Sequence, residues 1–79
     1  MQILMKTPDV CAATGMKRPT LYEHMAKGLF VRPVKLAPKL AVWPKDEISK
    51  INAARIAGKT DDEIRALVIE LTEARKNCV

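Results

Sequence analysis

The stretch TPDVCAATGMKRPTLYEHMAKG, Thr7 to Gly28, decides the fold. Thr7 can cap a helix, Pro8 suits the first helical position with its fixed φ, and Asp9 favours the positive end of the helix dipole. Gly15 stands where a left-handed residue closes a helix at least cost, so a first helix is expected over about residues 8–14. Three residues on a second helical pattern begins, in which Leu21 and Met25 fall at i and i+4 and Gly28 follows as a stop, which predicts a second helix over about 18–27. Two helices this close, joined through a glycine, have the spacing of a helix-turn-helix. Helical hairpins without any DNA role share that spacing, so the flanking sequence has to supply the rest.

Downstream the periodicity changes. Val34-Lys35-Leu36 and Leu40-Ala41-Val42-Trp43 are β-rich and flank Ala37-Pro38-Lys39, the pattern of a β-hairpin with strands at about 33–36 and 40–43. A hairpin directly after the second helix makes the unit winged. Pro44 to Glu47 opens a third helix over about 45–57, with Ile48, Ile51 and Ala54 along one side until Gly58. Thr60 to Glu63 forms a capping box, and Ile64, Leu67, Val68 and Leu71 recur at helical spacing, so a fourth helix is expected over about 60–76. Arg75 and Lys76 suit its negative end. The expected fold is mainly α with a small β-hairpin, a winged helix-turn-helix.

The 79 residues are enough for one domain with a core and too few for two, so residues 1–79 are read as one folding unit. Hydrophobic residues at 48% and charged ones at 29% are the balance of an ordinary soluble domain. No run approaches the roughly 20 apolar residues of a membrane span, and Met1 to Lys6 leads into no signal-peptide pattern, so a cytoplasmic location is expected. Cys11, Cys78 and His24 are too few and too scattered for a zinc site, and both cysteines read as structural or free thiols.

Charge is unevenly spread. Residues 1–45 carry eight Lys and Arg against Asp9 and Glu23, a balance of +6, whereas residues 46–79 carry six basic against seven acidic side chains, a balance of −1. Such an asymmetry fits one end of a domain that meets phosphates, although a solvated basic surface has the same composition.

At about 100° per residue, Leu21 and Met25 define the buried face of the second helix and leave Pro19, Thr20, Glu23 and Lys27 outward. Lys17 and Arg18 sit at its N-terminus, the end that enters the major groove in helix-turn-helix proteins. Arg18 can grip guanine O6 and N7, and Thr20 can donate to a base or touch a thymine methyl. Glu23 can accept from cytosine N4 or pair with Lys27 at i+4, the pair being the favoured reading. Tyr22 can send its hydroxyl to a phosphate or serve as a core tyrosine, and His24 reads as packing on the shoulder of the buried face. Lys35 and Lys39 on the hairpin, with Arg32 just before it, supply point charges for the backbone or a minor groove. In this reading Lys35 points opposite to Val34 and Leu36.

The ordered set Val10-Cys11, Thr14-Gly15-Met16, Thr20-Leu21-Tyr22, Pro33-Val34-Lys35-Leu36, Trp43-Pro44 and Glu47-Ile48 resembles the AlpA-type prophage regulators, winged-helix relatives of the MerR-like and excisionase DNA-binding domains. The resemblance continues through Ile51 to Arg55 and Asp62 to Arg65. It implies a winged helix that binds DNA to control phage or mobile-element genes, some members acting as accessory factors in excision. It carries the recognition-helix role to Lys17, Arg18, Thr20, Tyr22 and Glu23, and the wing role to Lys35 and Lys39. Lys17 stands where a capping serine is usual, Glu23 where a basic residue is common, and Ala37-Pro38-Lys39 where a Gly-containing turn ending in arginine is typical.

An enzyme is disfavoured, because Ser49 and His24 are the only serine and histidine and there is no Gly-rich phosphate loop or ligand cluster; no cofactor or small-molecule substrate is expected. An interaction module of the antirepressor kind remains the rival from another class, since a winged helix can bind protein with the same surface. A bare winged helix offers few base contacts, so useful specificity on double-stranded DNA needs a homodimer or tandem sites, with Val68 and Ile69 of the last helix as the candidate dimer interface.

Overall fold

A computed structural model describes residues 3–76. In chain order it comprises β1 (Leu4–Lys6), α1 (Thr7–Thr14), α2 (Arg18–Ala26), β2 (Val34–Ala37), β3 (Leu40–Pro44), α3 (Lys45–Ile56) and α4 (Asp61–Lys76). It is mostly helical with a three-stranded antiparallel sheet of order β1-β3-β2, an arrangement compatible with a winged helix-turn-helix. The four helices fall where the capping and periodic residues put them, to within a residue or so at each end. Cys78 lies outside the described residues.

The sheet is larger than the expected hairpin. β1 pairs with β3 in the register Leu4 with Pro44, Met5 with Trp43 and Lys6 with Val42, and the Lys45 amide donates to the Ile3 carbonyl at 2.7 Å. This strand also alters the start of α1. Lys6, still paired with β3, is the residue before the helix and no side chain caps it, so Thr7 is already helical and does not act as the cap. At the other edge, β2 runs one residue later than expected, and only Pro38 and Lys39 form the turn. The β2–β3 register shifts between Lys35 and Ala37, so Leu36 sits in a bulge and is 55% exposed. The extra residue breaks strict alternation, and Leu36 therefore does not pair with Val34 as an inward residue.

Gly15 joins α1 to α2 with φ 73°, its amide donating to the Cys11 carbonyl at 2.9 Å. The left-handed conformation is cheap only without a Cβ, which explains the glycine. Leu21 and Met25 of α2 pack into a core with Val10, Phe30, Trp43, Ile48, Ile51, Ile64 and Leu71. Trp43 is wholly buried, and its indole Nε1 donates to the Val31 carbonyl at 3.0 Å, so the central strand is tied to the segment leaving α2. Val68 belongs to this core at 9% exposure, whereas Ile69 remains 64% exposed, so only one of the two residues expected at an interface is available for it.

α3 and α4 hold the helix pair through polar side chains as well as packing. Asn52 Nδ2 of α3 donates to the Ala13 carbonyl at 3.1 Å, and Arg65 Nε of α4 donates to the Lys27 carbonyl at 3.0 Å. Each bond satisfies a carbonyl orphaned at a helix C-terminus. Glu47, expected only within the segment that opens the third helix, is buried and takes a bidentate ion pair from Arg75, which also donates to the Arg32 carbonyl at 2.9 Å. One guanidinium thus ties the end of α4 to the start of α3 and to the chain after α2.

Candidate nucleic-acid interface

With Leu21 and Met25 pointing inward, α2 has no choice about what it shows to solvent. Lys17, Arg18, Pro19, Thr20, Tyr22, Glu23 and Lys27 are all exposed. The backbone enters the helix at Lys17 without a side-chain cap, and Arg18 and Pro19 make the first turn. The amides of that first turn have no partner within the helix, so a positive dipole end and the Arg18 guanidinium lie together.

Beside this N-terminus lies a cleft of 310 Å³ built from three separate pieces of chain. Lys6 and Thr7 come from the β1–α1 junction, Arg18 and Tyr22 from α2, and Lys39 with Leu40 from the turn of the hairpin. Three of the eight basic residues of the first half therefore converge, with no carboxylate among the lining residues. Three cations around one concavity focus a positive potential there. Tyr22, at 47% exposure, lines the cleft and is not a core tyrosine.

The remaining expected residues are not gathered in it. Lys35 is exposed on β2, opposite Ala41. Arg32 is exposed but borders a different groove, between the end of α2 and α4, with Gly28, Thr72 and Arg75. Lys17, Pro19, Thr20, Glu23 and Lys27 extend the exposed face of α2 outside the cleft.

Glu23 and Lys27 pair at 2.9 Å across one turn, and that hydrogen bond and charge hold the Glu23 carboxyl below its ordinary value. The carboxylate is thus already partnered within α2. His24 is half-buried beside Met16, Leu29 and Ile51, consistent with packing.

Lys6 is the residue that the sequence reading missed. Nothing in Leu4-Met5-Lys6 is long enough to show alternation, and the strand exists only because β3 offers it an edge. A basic residue directly before a Thr-Pro-Asp helix start was the available signal.

A family model described as prophage CP4-57 regulatory protein (AlpA) matches residues 3–56. The match runs from β1 to the end of α3 and includes every residue that lines the cleft, whereas α4, into which the resemblance was read through Arg65, lies beyond it. The uncharacterized protein ORF88 of Enterobacteria phage P4 is 36% identical over 55 residues, which cover 70% of this chain and 62% of that protein. The chain thus spans less than two thirds of the curated relative it matches. No solved structure matches the chain at a significant level. With more than half of its length matched by that model, the chain belongs to the AlpA prophage regulatory family, a family of DNA-binding regulators.

Proposed function

We propose that the chain is a winged helix-turn-helix protein that binds duplex DNA sequence-specifically and regulates transcription of prophage or mobile-element genes in the bacterial cytoplasm. In this reading α1 and α2 are the helix-turn-helix, α2 enters the major groove, and the β2–β3 hairpin is the wing. The convergence of Lys6, Arg18 and Lys39 from three elements on one cleft beside the N-terminus of α2 carries the proposal.

Arg18 reads guanine through O6 and N7, and Thr20, within the same first turn of the helix, adds a hydroxyl or methyl contact. Lys6, Lys35 and Lys39 are point charges suited to phosphates, so they set affinity more than base choice. Glu23, satisfied by Lys27, contributes little to base choice and softens the repulsion a bare carboxylate would meet near phosphates. A single module makes few base contacts, so two copies bind together on paired or tandem sites.

Selection of bound sequences from a random duplex pool tests the reading and shows the site layout directly. Arg18→Ala should relax the base preference and cost about 1–3 kcal/mol. Lys39→Ala should weaken all sequences alike and reduce the slope of log K against log salt by about 0.9. Parent-like binding by both variants at moderate salt, or a pool that yields no enriched sequence, would refute it.

A further inference from the structure

We infer that the groove between α3 and α4 is a docking surface for a second copy of this chain, with α3 of each copy lying on α4 of the other. The inference rests on the two-copy element of the reading above and gives it a location. The groove, of 540 Å³, has a floor of Ala53, Ala54, Ala66 and Leu67. Ile69, three residues from Ala66 on the same helix and 64% exposed, extends that apolar surface. Small residues on a helix pair let another helix approach closely, and the floor alone is an unpartnered apolar strip.

The banks say what covers it. Lys50 on α3 and Lys59 just after it form one bank, and Glu63 and Glu70 on α4 form the other. The Glu47–Arg75 pair fixes the start of α3 against the end of α4, so the helices run antiparallel, with Lys50 and Glu70 towards that end. Lys59 and Glu63, 3.6 Å apart, mark the opposite end. Neither Lys50 nor Glu70 has an ion-pair partner among the described residues.

A two-fold axis running along the groove exchanges the banks and keeps the ends, so Lys50 meets the mate's Glu70 and Lys59 meets the mate's Glu63. An axis running across the groove would set lysine on lysine and glutamate on glutamate. The charge pattern therefore selects one isologous arrangement, an antiparallel four-helix layer, and opposes the other. The +6 balance lies wholly in residues 1–45, none of which lines the groove, so docking brings together the near-neutral part of each chain.

Sedimentation equilibrium of the intact chain without DNA is the test, with folding checked by circular dichroism. The parent should reach twice its 8.8 kDa mass. Lys50→Glu and Glu70→Lys should each weaken association by at least about tenfold, because each places like charges at two symmetric contacts. An equimolar mixture of the two variants should recover a mixed dimer, since the reversals are complementary across the interface. Ala66→Arg, which fills the floor, should abolish association. A parent that stays monomeric to about 1 mM, a Lys50→Glu chain that dimerises like the parent, or a mixture that fails to recover would each overturn the inference. Dimers without DNA binding would refute the proposed function and leave this interface standing, whereas DNA binding by a monomer would do the reverse.

Discussion

Removing Glu47 should destabilise the chain more than any other single change to its charged side chains except the removal of its partner Arg75. Glu47 has a side-chain exposure of 10% and Arg75 of 22%, and both carboxylate oxygens are engaged. Deleting one partner of a fully buried pair costs about 3–5 kcal/mol, because a charge is left without compensation. In Glu47→Ala the abandoned guanidinium still reaches water and still donates to the Arg32 carbonyl, which brings the expected loss to about 2–3 kcal/mol. Arg75→Ala should cost more, about 3–4 kcal/mol, since the carboxylate left behind is the more buried member and the Arg32 carbonyl also loses its donor. Against a total of about 4–12 kcal/mol for a chain of this length, either loss is a large fraction.

Urea unfolding monitored by Trp43 fluorescence suits the measurement, because this is the sole tryptophan and it is wholly buried. With a slope near 1 kcal/mol/M, Glu47→Ala should lower the midpoint by about 2–3 M and leave the slope unchanged. The double variant should lose much less than the two singles added together. A paired apolar replacement, Glu47→Leu with Arg75→Met, should come close to parental stability. A loss below about 0.5 kcal/mol for Glu47→Ala, or strict additivity in the double variant, would refute the view that this pair fastens α4 to the rest.

Two further outcomes follow from local geometry. Gly15→Ala should lower the melting temperature by roughly 4–8 °C, equivalent to about 1 kcal/mol, through backbone strain alone, because a Cβ there would meet no atom within 4 Å; a calorimetric scan unchanged from the parent would contradict this. The Glu63 carboxyl is held below its ordinary 4.5 by the Thr60 amide and hydroxyl at the start of α4. Its native value being lowered, this stabilisation is present above pH 4.5 and is lost as pH falls through the native value. In an NMR titration, Thr60→Ala, which removes the hydroxyl and keeps the amide, should return Glu63 part of the way towards 4.5, and an unmoved titration would refute the hydroxyl's share in holding it down.

The helices were legible because each carries its own punctuation: Gly15 after α1, Gly28 after α2, the Thr60–Glu63 box before α4. Such signals act within one turn of the chain that shows them. β1 was not legible, because its partner residues lie 36 to 40 positions away and three residues cannot display a period. The bulge at Leu36 was hidden for a related reason, since Val34-Lys35-Leu36 alternates perfectly until the pairing slips.

The Glu47–Arg75 pair escaped because each member had a sufficient local explanation, an acid at one helix start and a base at another helix end. At the candidate interface, Arg18, Tyr22 and Lys39 could be named from helical phase and turn position. Their convergence with Lys6, and the separation of Arg32 from them, depends on how three pieces of chain meet. Val68 went to the core and Ile69 to the surface, a distinction that adjacent apolar residues cannot reveal by themselves.

The three-residue strand that carries Lys6 is an edge, joined to the molecule by one short ladder. Short edges open locally at far lower free energy than the helical core unfolds. An opening that ran as far as Lys6, at the inner end of the ladder beside α1, would move one of the three cations of the cleft and leave Arg18 on α2 in place. The charge of the cleft would then depend on the strand staying paired, and exchange of the Lys45 amide, which donates to Ile3 at the outer end of the ladder, reports the fraying with which such an opening would begin.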